Sequence, residues 1–385
     1  MIPLLSFIPK EASLTSTFFI VSLDLIMILY VLKVRKKPHK LASRSIKFTL
    51  FLCLLHYLFC MFEGDYFSYK DIVEDSGFTS LVLYDARTFH VELPYVAIIN
   101  FVHNDYFLFR VIVWGGSMLL LCLTAKNLQL DKSTFVFYLA IYLAPFTSTS
   151  RVALALAVGF MGFSLIVKPF KIKYLSYVIG GLLCISSIWL HRSAPFLLLI
   201  YPLSLIKFDK KKIILLAILV PVSVLVISTG LVDYIFSLDT SAEDSVIDAQ
   251  VAQEYLESDV TFSSRGPGEL IRLFLSYLSY LLVLVVMIRL IWKGEYNSIP
   301  GHIQKYCNAT LLIIIAAFVF LLMPGANTYK TFERLIGFAI VPAAFCLSYL
   351  LKNNIEIKWL NMANLAILGW VIYGLIYTLY LDIVS

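Results

Sequence analysis

Charged side chains are scarce in this 385-residue sequence: Asp, Glu, Lys and Arg make up 15% of it, against 60% hydrophobic residues. A soluble globular chain is nearer half apolar, so that class is excluded. Also missing are an Asp-x-Asp pair, a His/Cys cluster of metal-ligand spacing, an internal repeat and a low-complexity tract. No dedicated metal site and no cofactor are therefore expected, although acid-rich segments leave room for a weakly held divalent cation. The cysteines are scattered. Cys53, Cys60, Cys122, Cys184 and Cys346 lie in apolar runs and Cys307 at the start of one, where they read as small buried hydrophobes. The first apolar run, about 14–32, has no small-residue cleavage site and carries its basic cluster after it, so it reads as an anchor.

What is present in abundance is long apolar sequence, with a mean hydropathy of +0.86. Runs long enough to span a bilayer, roughly 20 residues with some shorter or tilted, fall near 14–32, 48–62, 107–125, 133–149, 151–167, 174–190, 194–206, 213–231, 270–292, 306–323, 335–351 and 359–380. A single all-α polytopic membrane domain over 1–385 with about twelve transmembrane helices is the expectation, its 23 Tyr and 29 Phe suiting interfacial belts. Lys and Arg in short loops mark the cytoplasmic side. The segment from Lys33 to Lys47 carries seven positive charges and no acid, so it is placed inside. Alternation then puts the loops at 126–132, 168–173, 207–212, 293–305 and 352–358 inside as well, and every one bears lysine. Both termini fall outside.

Two long segments lie on the outer side. The first, 63–106, holds Glu63, Asp65, Asp71, Glu74, Asp75, Asp85, Glu92 and Asp105. The second, about 232–269, contains Ser241-Ala242-Glu243-Asp244, which resembles a capping box, followed by Ile247, Val251 and Tyr255 at four-residue spacing. That pattern predicts a short amphipathic helix on the outer surface. A turn-rich loop, Ser263 to Gly268 with Arg265 in it, follows.

Sorting cations by side separates the two residue types. Of 21 Lys, 18 fall inside, whereas seven of 10 Arg fall outside: Arg87, Arg110, Arg151, Arg192, Arg265, Arg272 and Arg334. Lysine and arginine are equal as topology signals, so the outer arginines need another reason. Either they pair with the outer acids, or their planar forks bind phosphate or carboxylate two bonds at a time. Arg151, Arg192 and Arg334 sit at helix mouths with only Glu333 as an adjacent acid. Two crossings, from Ser148 to Ser193, bring Arg151 and the His191-Arg192 pair to the same side. His191 reads as a polar helix cap, or as a phosphate ligand or proton acceptor near neutral pH. Asp24, midway along the first run, reads as an interhelical hydrogen-bond partner.

Several segments resemble the EpsG-like, Wzy-type polysaccharide polymerases. Gly64-Asp65-Tyr66-Phe67-Ser68-Tyr69 resembles that family's Asp-Tyr…Tyr signature. Glu92-Leu93-Pro94-Tyr95, then Asn100, then Asn104-Asp105-Tyr106-Phe107 and Phe109-Arg110, is similar to its Glu-Pro-Gly-Tyr, half-helix and Asn-Phe/Tyr…Phe stretch, with Leu93 intruding and the Gly lacking. Ser150-Arg151-Val152-Ala153-Leu154-Ala155 resembles its Ile-Arg-Gln…Ala segment, with Val152 in place of the Gln. His191-Arg192-Ser193-Ala194 is similar to its Phe-His-x-Ser-Ala element, and Glu333-Arg334-Leu335 to its late arginine.

The resemblance implies an extracytoplasmic enzyme of the bacterial inner membrane, with the architecture of the multi-spanning GT-C-like glycosyltransferases. Its substrates would be undecaprenyl-diphosphate-linked oligosaccharides in the lipid bilayer. A chain-length regulator protein is a possible partner, and no nucleic acid is expected. In that reading Arg151, Arg192 and Arg334, with Arg265 from the long loop, bind the diphosphate leaving group. Glu92, His191 and Asp65 are the alternatives for the proton acceptor, and Tyr66, Tyr69 and Tyr95 for stacking on sugar faces. Two other readings stay open: an O-antigen ligase or other lipid-linked-sugar transferase, which differs in acceptor, and a lipid-linked oligosaccharide flippase, which calls for deep charges or symmetrically broken helices.

Overall fold

The computed structural model describes residues 93–140, 150–191, 194–228, 267–321 and 335–384 as continuous stretches, with scattered residues among 22–51 and 70–74 and at 332. Among the described residues there are eleven α-helices and no strand. They are α1 (Leu93–Phe101), α2 (Tyr106–Asn127), α3 (Lys132–Tyr138), α4 (Ser150–Val167), α5 (Lys173–Trp189) and α6 (Pro195–Ser204). Then come α7 (Lys210–Ser228), α8 (Pro267–Lys293), α9 (Gly301–Leu321), α10 (Ile340–Lys352) and α11 (Ile357–Val384). The third to twelfth apolar runs thus overlap α2 to α11, with residues 141–149 of the fourth run outside the described residues. Most of the runs at 14–32 and 48–62, with Asp24, and the expected outer-surface helix near 241–255 lie outside the described residues. Three segments, Tyr106–Asn127, Leu273–Lys293 and Gly301–Val319, are long and apolar enough to cross a membrane, and Val152–Val167, Lys173–Trp189, Pro195–Ser204 and Ile340–Lys352 are shorter apolar helices.

Local chemistry explains the boundaries. Asp105 and Asp131 sit in extended conformation before α2 and α3, and their carboxylates accept the Leu108 and Thr134 N–H groups, each at 3.0 Å. Each supplies an acceptor that the first turn otherwise lacks. α8 starts at Pro267, three residues before the apolar run, because proline is preset for a first turn. It ends at Gly294, whose φ of +81° only glycine takes without strain.

The five lysine-bearing loops meet at one end of the bundle. Asn127 Nδ2 donates to Ser164 O at 3.1 Å and Lys168 O at 3.2 Å, while Lys352 Nζ lies 3.6 Å from Asp131 Oδ2. The His302 ring nitrogen lies 3.2 Å from Leu128 O, and Lys305 Nζ caps Leu205 O. Arg289 Nε donates to Glu356 Oε2 at 3.0 Å, and Lys293 pairs with the other oxygen. The mouths of α2, α4, α8 and the turn after α5, which carry Arg110, Arg151, Arg272 and His191, consequently lie at the other end.

Between these ends the lysine-side half is filled with aromatic rings. Phe135 stacks on Phe345 at 5.7 Å, Phe345 meets Tyr306 at 5.4 Å, Tyr306 meets Phe160 at 5.7 Å, and Tyr201 meets Phe160 and Phe163 at 5.6 and 5.3 Å. All are buried, and the Tyr306 hydroxyl donates to Phe160 O at 2.7 Å. α4 and α5 approach backbone to backbone at Gly162 and Gly180, along a buried small-residue stripe of Ser176, Gly180, Cys184 and Ser187 on α5. Small residues permit this closeness where lipid supplies no hydrophobic drive between helices.

Glu356 makes the lysine end acid-sensitive. Its side chain is 2% exposed. Burial alone would raise its pKa, but hydrogen bonds from Lys293 and Arg289, together with their charges, outweigh burial and hold the carboxyl below its ordinary range. A depressed folded pKa contributes stability above the unfolded value, near 4.3, that is lost as pH falls through the folded value. The unfolding midpoint of the detergent-solubilised chain is expected to hold from pH 7 to about 5 and to fall below about 4.5. Glu356→Gln should lower the stability at neutral pH by about 1–2 kcal/mol, discounted for its half-exposed partners, and flatten that acid limb.

Candidate functional site

The end opposite the lysines is organised by α1. At nine residues it is about 13 Å long, too short to span. The four-residue link Val102 to Asp105 turns it back along α2, with His103 and Asn104 at φ +51° and +61° and Asn104 N donating to Ile99 O at 3.2 Å. A 3.6-residue period puts Tyr95, Val96, Ile99 and Val102 along one side, and these are the buried ones. They form a small core with Tyr106, Phe109 and Val113 of α2 and Leu154 of α4, against which Val158 and Leu190 also pack. Segments distant in sequence thereby share one cluster: the start of α1, the first turns of α2, the first turns of α4, and the turn that follows α5.

Arg110 is 7% exposed in the second turn of α2, its guanidinium carbon 5.9 Å from the Tyr106 ring centroid. The backbone of Arg151 lies in the first turn of α4, three residues outward of Leu154 and hence on the same face. His191 is half-buried beside Leu190, and its ring meets Phe338 edge-on at 6.4 Å. Phe196, in the first turn of α6, lies 6.5 Å from the same Phe338. The Ala194 N–H donates to His191 O at 2.9 Å, turning the chain into α6. α6 has ten residues against seventeen in α5, a difference of about 10 Å in length. The segment 335–338 therefore reaches the His191 turn, and Phe332 before it meets Tyr277 at 4.6 Å and Phe318 at 5.3 Å.

Within the segment 63–106, Leu93–Phe101 is a packed half-helix, as the resemblance implied. The sugar-stacking expectation for Tyr95 is corrected. Its side chain is fully buried, 6.3 Å from Phe109, so its ring faces serve packing and offer no platform to a sugar. Glu92, Asp65, Tyr66, Tyr69, Arg192, Arg265 and Arg334 lie outside the described residues, as does the Arg151 side chain. Sequence reasoning left Arg110 out of the candidate binding set. Its signal was a lone cation four residues after Tyr106 in an otherwise apolar run.

Chemically, this end combines a buried guanidinium, a histidine and, at Arg151, a helix-mouth arginine around an apolar core of low dielectric. Cationic donors are worth more to an anion there than in water. Among the described residues no three His, Cys, Asp or Glu side chains are grouped to hold a metal.

No curated protein and no solved structure gives a match. The sequence model of the EpsG family, however, matches residues 44–384, a span that takes in every described segment of the site. The chain therefore belongs to the EpsG family of polysaccharide polymerase-like membrane proteins.

Proposed function

We propose that the chain is a Wzy-type glycosyltransferase that joins undecaprenyl-diphosphate-linked oligosaccharide repeat units into a polysaccharide on the periplasmic face of the inner membrane. The lysine-bearing end then faces the cytoplasm. The reading rests on one observation above all: segments 93–95, 106–110, 150–154 and 190–191 pack around a single core at the lysine-poor end. In the reaction an acceptor sugar hydroxyl attacks the anomeric carbon of the carrier-linked glycan. The new C–O bond forms as the bond to the lipid diphosphate breaks, and the hydroxyl proton passes to a base. Arg151, Arg192 and Arg334, with Arg265, hold the departing diphosphate. Glu92, His191 or Asp65 takes the proton, a role worth roughly 10² to 10⁴ in rate, and Tyr66 and Tyr69 stack on sugar.

The aromatic filling of the lysine-side half favours an enzyme worked from one side over a flippase, which needs a route through both halves. A strain lacking the chain tests the proposal. Carrier-linked single units on the outer face with no long glycan are expected. Units retained in the cytoplasm would mean a flippase, and lipid-linked polymer that never reaches its final acceptor would mean a ligase.

A further inference from the structure

The cations at the lysine end are not all compensated alike. Glu356 serves Arg289 and Lys293, and Asp131 serves Lys352. The turn between α6 and α7 differs. Lys212 and Lys305 are spent on its carbonyls, Lys207 O and Leu205 O, and its single acid, Asp209, accepts the Lys212 N–H at 2.9 Å. Lys207, Lys210 and Lys211 remain exposed, and among the described residues none of them pairs with a carboxylate. Five ammonium groups and one acid thus crowd a single turn. Trp292, 52% exposed at the end of α8, lies under Lys210 Nζ, 5.7 Å from ring centroid to nitrogen.

Directly below the turn the exposed surface becomes wholly apolar. Leu199 and Leu203 on α6, four residues apart, and Ile214 and Ile218 on α7, also four apart, each form a ridge open to the surroundings. Both helices pack on α9, and each ridge runs away from the lysines. Cations with an interfacial tryptophan at one level and two hydrocarbon-wide ridges beneath form a surface in two parts.

We infer that the α6–α7 turn is a binding site for an anionic phospholipid, its headgroup phosphate held by Lys207, Lys210 and Lys211 over Trp292 and its acyl chains lying along the α6 and α7 ridges. A free phosphate would use only the lysines, and an acidic protein segment would leave the ridges unexplained. The site is independent of the glycosyltransferase reading, and its test needs no activity.

The full chain is placed in nanodiscs of phosphatidylcholine, with or without about one-third phosphatidylglycerol, and lipid retention is followed by native mass spectrometry beside the thermal midpoint. At low salt the wild type is expected to retain phosphatidylglycerol selectively and to gain several degrees. Lys207→Gln/Lys210→Gln/Lys211→Gln should lose roughly a hundredfold of that preference, from the usual attraction per basic residue. In the unmodified chain, raising NaCl to about 1 M should do the same by screening, so the idea is testable even if the triple variant folds poorly. Equal retention of both lipids by the wild type, or preference unchanged in the triple variant, overturns the site. So does an equal stabilisation in phosphatidylcholine by inorganic phosphate or an acidic peptide.

Discussion

Cells whose only copy carries Arg151→Lys are expected to accumulate single carrier-linked repeat units and to make essentially no long glycan. Lysine keeps the charge, and the backbone of Arg151 sits in a regular first turn that lysine also favours, so the fold is preserved. What disappears is the fork of donors that, in the proposed clamp, grips the diphosphate in two places. Loss of one such donor in a low-dielectric site costs about 10² to 10³ in rate, and a chain built by repeated transfers shortens steeply when each slows that much. Lys126→Gln, at the opposite end of the bundle, should leave the glycan ladder unchanged. Wild-type chain length in Arg151→Lys would remove Arg151 from the diphosphate clamp.

Gly162→Val should be nearly as damaging, through folding. A Cβ on Gly162 would stand 2.5 Å from the Gly180 carbonyl oxygen and 2.8 Å from the Cys184 nitrogen; one on Gly180 would stand 2.8 Å from the Gly162 oxygen. The obstacle is backbone on both sides, which no rotamer change relieves. α4 and α5 must part, and with them Arg151 and His191. Overpacking costs about 1–3 kcal/mol for modest insertions, and a branched side chain at such a crossing lies at the upper end or above. Folded protein recovered from detergent extracts should fall several-fold for Gly162→Val and Gly180→Val. Gly181→Ala, one residue along with nothing within 4 Å of its Cβ, should match the wild type.

The sequence made the helices legible because each long apolar run had little freedom: 107–125 became Tyr106–Asn127 and 174–190 became Lys173–Trp189. The shared end of the lysine loops was equally readable, since alternation leaves only two sides. The packed state of α1 was harder to see. The nine residues from Leu93, mostly apolar, are too few for a span; the resemblance implied a half-helix, and the core formed with Phe109 and Leu154 shows how it packs. Tyr95 was misread for the same reason, its burial depending on a partner helix fourteen residues on. The Gly162–Gly180 crossing did leave a trace, small residues at 176, 180, 184 and 187, but that spacing does not say which helix comes close. For the candidate site, the lysine-poor end was readable from the charge distribution, whereas the role of each residue depends on distances that a linear pattern does not encode.

The ring-filled half of the bundle also has an electrical consequence. A membrane voltage falls across whatever layer excludes water and ions, and each elementary charge moved through it costs about 2.3 kcal/mol per 100 mV. Phe135, Phe160, Phe163, Tyr201, Tyr306 and Phe345 make the lysine-side half such a layer, so a voltage across the bundle is expected to fall largely there. If the proposed chemistry takes place at the arginine-bearing mouths, charge rearranged there crosses little of the field and is largely decoupled from the energised state of the membrane.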